Sequence, residues 1–534
     1  MNKNKRIVYL PLILALILIF GIVIGIQLGH FGKGFSFLSN KKPDKLNEII
    51  DYVHNNYVDT VSEEMLTEKA ITSMLQTLDP HSVYIPAREF HDALDPLLGS
   101  FEGIGVQFRI ENDTITVITP VSGGPSEKLG IKAGDRIVRI DGKNVAGIKI
   151  SNNDVMRKLK GRKGTKVNVS IFRRGVHGLL DYTITRDVIP TYSMDIAYMV
   201  KPGIGYIRLN NFSATTNEEI GNGLKQLRSQ GMKKLIFDLR GNGGGYLQAA
   251  IDVSDEFLTV QKLIVYTEGQ HHPREYSYAT AEGLFETGYL IVLIDEWSAS
   301  ASEIVAGAIQ DNDRGIIIGR RSFGKGLVQS QLMLKDSSSL RLTVSRYYTP
   351  TGRCIQKPYN NGTDAYYNDY YHRFINGELD NPDSIHFADS LKFKTPKGKI
   401  VYGGGGIMPD IYVPVEKDSL LKYYNQVVNK GLLYQYAFDY TDKYRKELEK
   451  NKSFSEFDKN VRITDEIYYD FITFAAKKDV PHEGKNLSSS DARAKILMKA
   501  YIGRNILDNA GFYPLLNSFD PAFIKALKLL EGKN

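Results

Sequence analysis

Three short apolar runs organise the middle of the chain. They cover residues 234–238, 289–295 and 315–319, and their length and branched side chains are typical of buried strands. Helices are predicted between them, most clearly at residues 304–310, where apolar residues recur at helical spacing. Strands that alternate with helices predict a parallel, layered α/β fold for residues 188–415.

Different patterns flank this α/β region. Residues 44–98 carry apolar positions at helical spacing and predict short amphipathic helices. Residues 99–187 change to short strands separated by glycine turns, and residues 416–534 are predicted to be mostly helical. Residues 29–43, rich in Gly, Ser, Asn and Lys, are predicted to be a linker, and a polar insertion occupies residues 360–387.

The first 28 residues predict a membrane anchor. Lys3, Lys5 and Arg6 precede an uncharged apolar run, residues 7–28, that is long enough to span a bilayer. A cleaved secretory signal is the alternative, but the run exceeds a usual h-region and no A-x-A-like site follows it. The basic end is expected in the cytoplasm. In a bacterium with two membranes, the remaining chain is then expected in the periplasm, at the inner membrane.

Composition excludes several classes of function. A chain of 534 residues is too long for one core, so several domains are expected. The net charge of +7 is spread along the chain and does not indicate nucleic-acid binding. The single cysteine, Cys354, excludes an intrachain disulfide. The pair His271–His272 has no carboxylate or cysteine at ligand spacing, so it is interpreted as loop, and no metal or other cofactor is expected.

Candidate chemistry lies where the apolar runs end. The small residues 298–303 place Ser300 at a helix N-terminus, beside free N–H groups and the positive end of the helix dipole. The glycine-rich turn at residues 239–245 exposes further N–H groups. Lys325, flanked by glycines, can point inward as a base. Taken singly, the serine is more often an N-cap and the lysine a solvated charge.

Three separated motifs in fixed order resemble the carboxyl-terminal processing proteases, also called tail-specific proteases. They are LRGNGGG at 239–245, SASASE at 298–303 and SFGKGLVQ at 322–329. The resemblance implies a crotonase-like core in which Ser300 is the nucleophile, Lys325 the general base and Gln329 the residue that orients the lysine.

The same resemblance implies an oxyanion hole made from two backbone N–H groups. One belongs to Ala301 and the other to a glycine of the turn at 243–245. Family members often carry proline where Gly243 stands, and proline has no N–H group. Gly244 is therefore favoured over its neighbours.

Residues 99–187 include a segment, 124–142, that resembles part of a PDZ domain, with a short helix, a glycine turn and a strand ending in Asp-Gly. A PDZ domain binds a peptide as an added strand and holds its terminal carboxylate in a backbone nest. The residues expected to form the nest and strand are Gly103, Ile104, Gly105 and Val106. Val155 and Leu159 are expected to line the side-chain pocket. A β-domain that serves only as a spacer is the alternative.

The expected function is peptide hydrolysis through an acyl-enzyme, on substrates whose free C-termini the PDZ domain recognises. The family resemblance also implies that a bound C-terminus moves this domain away from the catalytic cleft. A lysine can act as base only when neutral, which requires burial to lower its pKa. Gln329 can fix the amine without adding charge. His81, in the sequence Asp-Pro-His-Ser, is interpreted as part of a turn rather than as a base.

Two other functions remain open on sequence alone. One is an inactive, membrane-tethered scaffold that binds peptides through the PDZ domain. The other is a crotonase-like enzyme acting on thioesters, which the expected location outside the cytoplasm disfavours. Natural substrates, a need for an adaptor, self-association and the role of residues 416–534 are also left open.

Overall fold

The computed structural model describes residues 11, 14–24, 44–416, 421–482 and 489–532. Residues 14–24 are helical, whereas the rest of the predicted anchor, apart from residue 11, and the predicted linker at 29–43 lie outside the described residues. In the part of the chain that is described, no helix is both long and apolar enough to cross a membrane.

The chain forms two compact units, residues 1–73 and 74–534. The first unit contains α1 (Lys45–Asn56) and most of α2 (Glu63–Gln76), as the helical spacing of residues 44–98 predicted. Helix α1 begins where it does because the Asp44 side chain accepts the backbone N–H of Asn47.

The first strand of the second unit is short, and the sequence did not predict it. Strand β1 (Val83–Ile85) precedes α3 (Phe90–Leu98) and pairs with residues 339–341, which belong to a strand of the α/β core. With three residues, β1 is too short for its alternation of polar and apolar side chains to be recognised among helices.

A β-rich domain follows. Its elements are β2 (Ser100–Gly103), β3 (Val106–Glu111), β4 (Thr114–Pro120), α4 (Pro125–Lys128), β5 (Arg136–Ile140), β6 (Lys143–Asn144), α5 (Asn152–Leu159), β7 (Lys166–Phe172), β8 (Leu180–Thr185) and β9 (Asp187–Pro190). The antiparallel sheet has the order β3-β4-β5-β7-β8, with β6 beside β5. Strands β2 and β9 pair separately, so the domain enters and leaves the core through one two-stranded ribbon.

The core is built on a central sheet of six strands. They are β10 (Met194–Lys201), β11 (Ile204–Leu209), β12 (Lys234–Asp238), β15 (Tyr289–Ile294), β16 (Ile316–Gly319) and β21 (Ile411–Tyr412), in that spatial order. All pairs are parallel except β10 with β11. The predicted parallel α/β arrangement is therefore confirmed, with one antiparallel edge strand added.

Helices cover the central sheet on both faces. Helices α6 (Thr216–Ser229), α7 (Leu247–Asp255) and α8 (Ala301–Asp311) pack against one face. The other face packs against α17 (Pro521–Leu530), through Phe523, Ala526 and Leu530. Buried parallel strands need apolar side chains on both faces, which explains their continuous apolar runs. The C-terminal region therefore completes the core.

A second sheet stands beside the first. It contains β13 (Leu263–Gly269), β14 (His272–Tyr278), β17 (Leu327–Met333) and β18 (Ser339–Tyr348), together with β1. His272 begins β14, so the prediction of a loop at the histidine pair is wrong for this residue, which lies in a hairpin strand.

The polar insertion forms α9 (Thr363–Tyr367) and α10 (Asp369–Ile375), followed by the hairpin β19 (Lys392–Lys394) and β20 (Ile400–Tyr402).

The remaining helices form a bundle with its own apolar core. They are α11 (Lys422–Asn429), α12 (Leu432–Leu448), α13 (Phe454–Asn460), α14 (Asp465–Ala476), α15 (Ser489–Leu507) and α16 (Asn509–Asn517). The mostly helical prediction for this region is confirmed.

Candidate active site

Ser300 lies in the turn between β15 and α8, and two neighbouring serines hold that turn in place. Ser298 and Ser302 are fully buried, and they donate to the carbonyl oxygens of Leu239 and Asn242 at 2.9 and 2.8 Å. Ser300 is only half-buried and has a φ of 55°, a strained value for a residue other than glycine. Of the three serines in this turn, Ser300 is therefore the accessible one.

The glycine-rich turn at 239–245 is tied down from the opposite side of the sheet. Arg240 donates to both oxygens of Asp520, the residue that caps α17, at 2.8 and 2.7 Å. Its guanidinium also bonds Asp238, at the end of β12. The turn that faces Ser300 thus depends on a helix far along the chain.

Glu303 joins the serine motif to the lysine motif. Its carboxylate is fully buried, and one oxygen accepts the backbone N–H groups of Ser300 and Lys325, each at 2.8 Å. The other oxygen accepts the Ser322 hydroxyl at 2.5 Å and the Gly324 N–H at 2.7 Å. Burial raises the pKa of Glu303 while these bonds oppose the rise. A glutamate three residues after an N-terminal serine is a capping-box signal, but the signal does not indicate that Glu303 also bonds the loop of Lys325.

Tyr347, on β18, is a second link between the same two residues. Its hydroxyl donates to the carbonyl oxygen of Lys325 at 2.7 Å and lies 3.2 Å from the carbonyl oxygen of Ser300. The ring is buried, and burial raises the pKa of the hydroxyl. Nothing in the local sequence around Tyr347 indicates this contact.

Lys325 stands in an environment that shifts its amine toward the neutral form. Burial, with the nearby charge of Arg341, lowers the pKa of Lys325 from 10.5 to about 8, against the opposing charges of Glu303 and Asp79. Across residues 44–416, the amine makes no hydrogen bond, either to Ser300 or to Gln329. Catalytic hydrogen bonds are often long until substrate binds, so this geometry does not exclude a dyad.

Gln329 points to another partner. Its amide nitrogen lies 3.3 Å from the Thr343 hydroxyl, which itself donates to Asp79 at 3.0 Å. Asp79 also accepts the backbone N–H of His81, and this bond confirms the predicted turn. An orienting bond from Gln329 to Lys325 stays a prediction, since it requires the amide to leave Thr343.

The fold brings His81 into the electrostatic environment of Lys325. Burial, reinforced by the charge of Lys325, lowers the pKa of His81 to about 3, so the imidazole is neutral at physiological pH. Its Nε2 atom lies 3.0 Å from the Tyr366 hydroxyl. Sequence alone could not place this turn near Lys325, because the pairing of β1 with β18 brings the two together.

Gly244 packs directly against the serine turn. A Cβ atom on Gly244 would stand 2.8 Å from the Ser300 Cβ and 3.0 Å from the Ala301 nitrogen, and the residue has a φ of 99°. Only glycine fits such a position. The Gly244 N–H, however, donates to the Asn242 side chain at 2.9 Å.

Other N–H groups around the turn are free. Those of Ala301, Gly243 and Gly245 bond no acceptor in the described part of the chain. The free N–H of Ala301 is compatible with the predicted oxyanion hole, which stays a prediction, whereas the Gly244 N–H would first have to release Asn242.

The predicted peptide-binding residues lie at the turn between β2 and β3 and on α5 of the β-rich domain. Gly103 ends β2, Val106 begins β3, and the N–H groups of Ile104 and Gly105 between them bond no acceptor among the described residues. This is the arrangement that a carboxylate nest needs. Val155 and Leu159 lie on α5, as predicted, but both are buried in the domain core, so a pocket there requires local movement.

Two sets of contacts hold the β-rich domain in place. Lys160, at the end of α5, pairs with Asp92 and Asp95 of α3 at 2.8 and 2.7 Å. On its other side, Arg109 lies 4.3 Å from the Tyr434 ring and Arg136 lies 3.6 Å from Asp442, both of these partners being on α12. These contacts are polar and partly exposed, as expected of a docking that can be released.

Family models match most of the chain in pieces. Peptidase family S41 matches residues 203–364, the PDZ domain matches residues 103–183, and the activating protease CtpB N-terminal domain matches residues 34–88. A family of unknown function, DUF8443, matches residues 423–508.

Individual proteins are similar over the same region. The chain is 39% identical over 321 residues to the carboxy-terminal-processing protease of Bartonella bacilliformis, covering 59% of this chain and 73% of that protein. It is 35% identical over 327 residues to the carboxy-terminal processing protease CtpA of Bacillus subtilis, covering 61% and 69%. Among solved structures, the photosystem II D1 C-terminal processing protease is 26% identical, covering 69% of this chain and 92% of that chain with a TM-score of 0.36.

Proposed function

Because the chain belongs to the carboxy-terminal processing proteases, we propose that it cleaves peptide bonds with Ser300 as nucleophile and Lys325 as general base. It is a serine-type peptidase with a PDZ domain. One observation carries the residue assignment: the buried Glu303 carboxylate holds the backbones of Ser300 and Lys325 through the same oxygen. Ser300 is also the accessible serine of its turn.

The reaction runs through an acyl-enzyme. The Ser300 hydroxyl attacks the substrate carbonyl carbon and passes its proton to the Lys325 amine. The Ala301 N–H and one N–H of the glycine turn stabilise the oxyanion. Lysine then protonates the leaving amine as the C–N bond breaks. A water molecule then attacks the ester carbonyl and gives a proton to Lys325. Lys325 returns that proton to the Ser300 oxygen as the ester C–O bond breaks, so the acyl group leaves as a carboxylic acid and the serine hydroxyl is restored.

The protonation state of Lys325 supports this role. With a pKa of about 8, about a tenth of the molecules carry a neutral amine at pH 7. That fraction suffices for general-base catalysis, and the protonated amine can still act as the acid in the next step. Gln329, once it turns from Thr343, orients the amine through a neutral hydrogen bond.

The PDZ domain is proposed to recognise the free C-terminus of a substrate through the N–H groups of Ile104 and Gly105. Its docking on α3 and α12 supports a gating role, since a bound tail that competes with these contacts moves the domain relative to the core. The core is proposed to be of the crotonase-like type.

A membrane location is proposed from sequence. Residues 7–28 form an uncharged apolar run preceded by basic residues, which favours an uncleaved anchor with the protease in the periplasm, at the inner membrane. An alkaline phosphatase fusion after residue 43 tests the orientation, because this reporter is active only outside the cytoplasm. An inactive fusion that is still found in the membrane fraction argues for the opposite orientation.

Cleavage by point variants tests the catalytic proposal. The full chain in detergent, Ser300→Ala and Lys325→Ala are incubated with an unfolded protein that ends in a free apolar C-terminus, and with the same protein amidated at its C-terminus. Cleavage by the parent alone, faster for the free terminus, is expected. Equal cleavage by all three proteins contradicts the dyad. Binding of the free terminus without cleavage by any of them favours the scaffold function.

A further inference from the structure

The loop that carries Lys325, residues 321–326, is called the lysine loop below. It has no regular secondary structure, yet its backbone groups are hydrogen-bonded. The N–H groups of residues 322–326 donate, in chain order, to the Ile407 and Ser298 carbonyls, to the two Glu303 oxygens and to the Gln356 side chain. The carbonyls of residues 324–326 accept from Lys357 and Tyr347. Buried backbone groups need such partners. Side chains and loop contacts, rather than a helix or sheet, therefore determine the path of this loop.

Arg373 supplies the donors for the first half of the loop. This arginine, on α10, is only 3% exposed. Its guanidinium donates to the carbonyl oxygens of Arg321, Ser322 and Phe323 at 3.2, 2.9 and 3.0 Å. No other donor in the described part of the chain reaches these three oxygens. The planar fork of an arginine suits several acceptors in fixed positions, which a lysine cannot match.

A second basic residue fixes the same loop from the insertion side. The Lys357 amine lies 3.8 Å from the Phe323 ring centroid and 4.3 Å from that of Tyr366, on α9. Asp369 holds Lys357 and Arg373 together, accepting from them at 3.0 and 2.8 Å. The two helices of the insertion are thus attached to the loop through two buried cations and the partly exposed Asp369 that they share.

We propose that α9 and α10 are a positioning element for the catalytic base, and that Arg373 is the residue that fixes the backbone on which Lys325 stands. This inference rests on the proposed role of Lys325. Arg373 touches no reacting atom, so it acts through the loop. Without it, one buried and two partly buried carbonyls lose their donor. The loop then moves toward water, and the lysine moves away from Ser300.

The charged groups around Lys325 allow a movement of the loop to be distinguished from a direct electrostatic effect of Arg373 on the lysine. The groups that act on it are Arg341 of β18, Glu303 of α8 and Asp79 of the turn before β1, and the neutral His81 lies in the same environment. Arg373 is not among these groups, and its charge acts instead on Lys357 and Asp369. A change in the titration of Lys325 when Arg373 is replaced therefore reports a movement of the loop.

The chain offers a matched control in Arg314. Its guanidinium also donates to three carbonyls, those of Phe257, Gly288 and Phe285 at 2.8 to 2.9 Å, and none of these residues belongs to the lysine loop. Replacing either arginine with lysine keeps the charge and removes the fork. The two variants then differ in which backbone segment they release.

The test measures kcat and KM between pH 6 and 9.5, and the melting temperature, for the full chain, Arg373→Lys and Arg314→Lys. For Arg373→Lys, kcat at pH 7.5 is expected to fall about tenfold or more, with KM within about twofold. The rising limb of kcat is expected to move up by about one pH unit, because a wetter lysine has a higher pKa. For Arg314→Lys the melting temperature is expected to fall, while the rising limb of kcat stays at the same pH as in the parent.

Any other outcome contradicts either the positioning role of Arg373 or the catalytic roles proposed for Ser300 and Lys325. A parent-like kcat and limb in Arg373→Lys overturn the positioning role, even if its melting temperature falls. If Ser300→Ala and Lys325→Ala cleave like the parent, the proposed function itself fails. If Arg373→Lys does not fold, Lys357→Met is measured in its place, and an unmoved limb in that variant overturns the proposal.

Discussion

Ser300 and Lys325 donate their backbone N–H groups to the same oxygen atom of Glu303, each at 2.8 Å. The relationship fixes two backbones rather than two side chains. It places the residues in one site while leaving the serine hydroxyl and the lysine amine free to meet a substrate. A buried acceptor that serves four donors is costly to alter, because every donor it loses stays out of water.

Replacing Glu303 with glutamine is expected to lower both stability and activity. An amide nitrogen would face two N–H or O–H donors, so at least one buried group loses its acceptor. We expect a loss of about 2–3 kcal/mol in the free energy of unfolding and a fall in kcat of about tenfold or more. Chemical denaturation and steady-state kinetics measure the two effects. Glu296→Gln, which alters one ion pair with Arg320, is the control, and an equal fall in kcat there contradicts a specific role.

Replacing Lys325 with methionine is expected to stabilise the inactive protein. Burial holds the pKa of Lys325 at about 8, below its ordinary 10.5. Between these pH values the unfolded chain binds a proton that the folded chain lacks, so stability rises with pH across this window. Below pH 8 the folded protein bears the full cost of the buried charge, up to about 3 kcal/mol.

The gain from Lys325→Met should therefore be largest at pH 7 and vanish near pH 10.5. Urea unfolding at several pH values measures it. The exposed Lys262→Met serves as control and is expected to show no such pH dependence. A gain that is absent at pH 7, or that persists unchanged at high pH, argues that the lysine is not held in a buried, low-pKa state.

Replacing Gly244 with alanine should inactivate the protein more than the same change at its neighbour. A Cβ at Gly244 meets Ser300 at 2.8 Å on a backbone with a φ of 99°, whereas a Cβ at Gly243 meets no atom within 4 Å. We expect kcat to fall about a hundredfold or more for Gly244→Ala and clearly less for Gly243→Ala. Kinetics on both purified variants decide the matter. Equal losses would show that the contact with Ser300 is not what requires glycine.

Releasing the PDZ domain should raise cleavage of substrates that it cannot recognise. Lys160 joins this domain to Asp92 and Asp95 of α3. These pairs are partly exposed, so each contributes about 0.5 kcal/mol. The double variant Asp92→Asn, Asp95→Asn is therefore expected to cleave the amidated substrate a few times faster, with a smaller change for the free terminus. Unchanged or slower cleavage of the amidated substrate contradicts gating through this contact.

The pattern of apolar residues along the chain predicted the buried strands and the serine turn, because these depend on residues that are close in sequence. The runs at 234–238, 289–295 and 315–319 became β12, β15 and β16, because a strand buried on both faces must be apolar throughout. The serine turn was predictable because strand, small residues and helix follow each other without interruption. The antiparallel β10 and the three-residue β1 were missed, since their pairing partners are set by tertiary contacts.

The supporting residues of the site were less predictable. Arg373 lies in a polar insertion whose composition indicates only a solvated segment, yet it is buried against the lysine loop. Tyr347 reaches Lys325 across two paired strands. Contacts of this kind depend on which elements the fold brings together. The family resemblance supplied roles for Ser300, Lys325 and Gln329, but not the side chains that hold them.

The attachment of α17 to the central sheet has a consequence for the newly made chain. Asp520 holds Arg240 of the glycine turn, and Phe523 covers the sheet face behind it. Both are synthesised long after Ser300 and Lys325. A growing polypeptide that already contains the proposed nucleophile and base therefore still lacks the contacts that hold the glycine turn. All three sequence motifs are present in a chain that stops short of α17, but the turn at residues 239–245 is supported only once residues 520–530 have been made and have docked on the sheet.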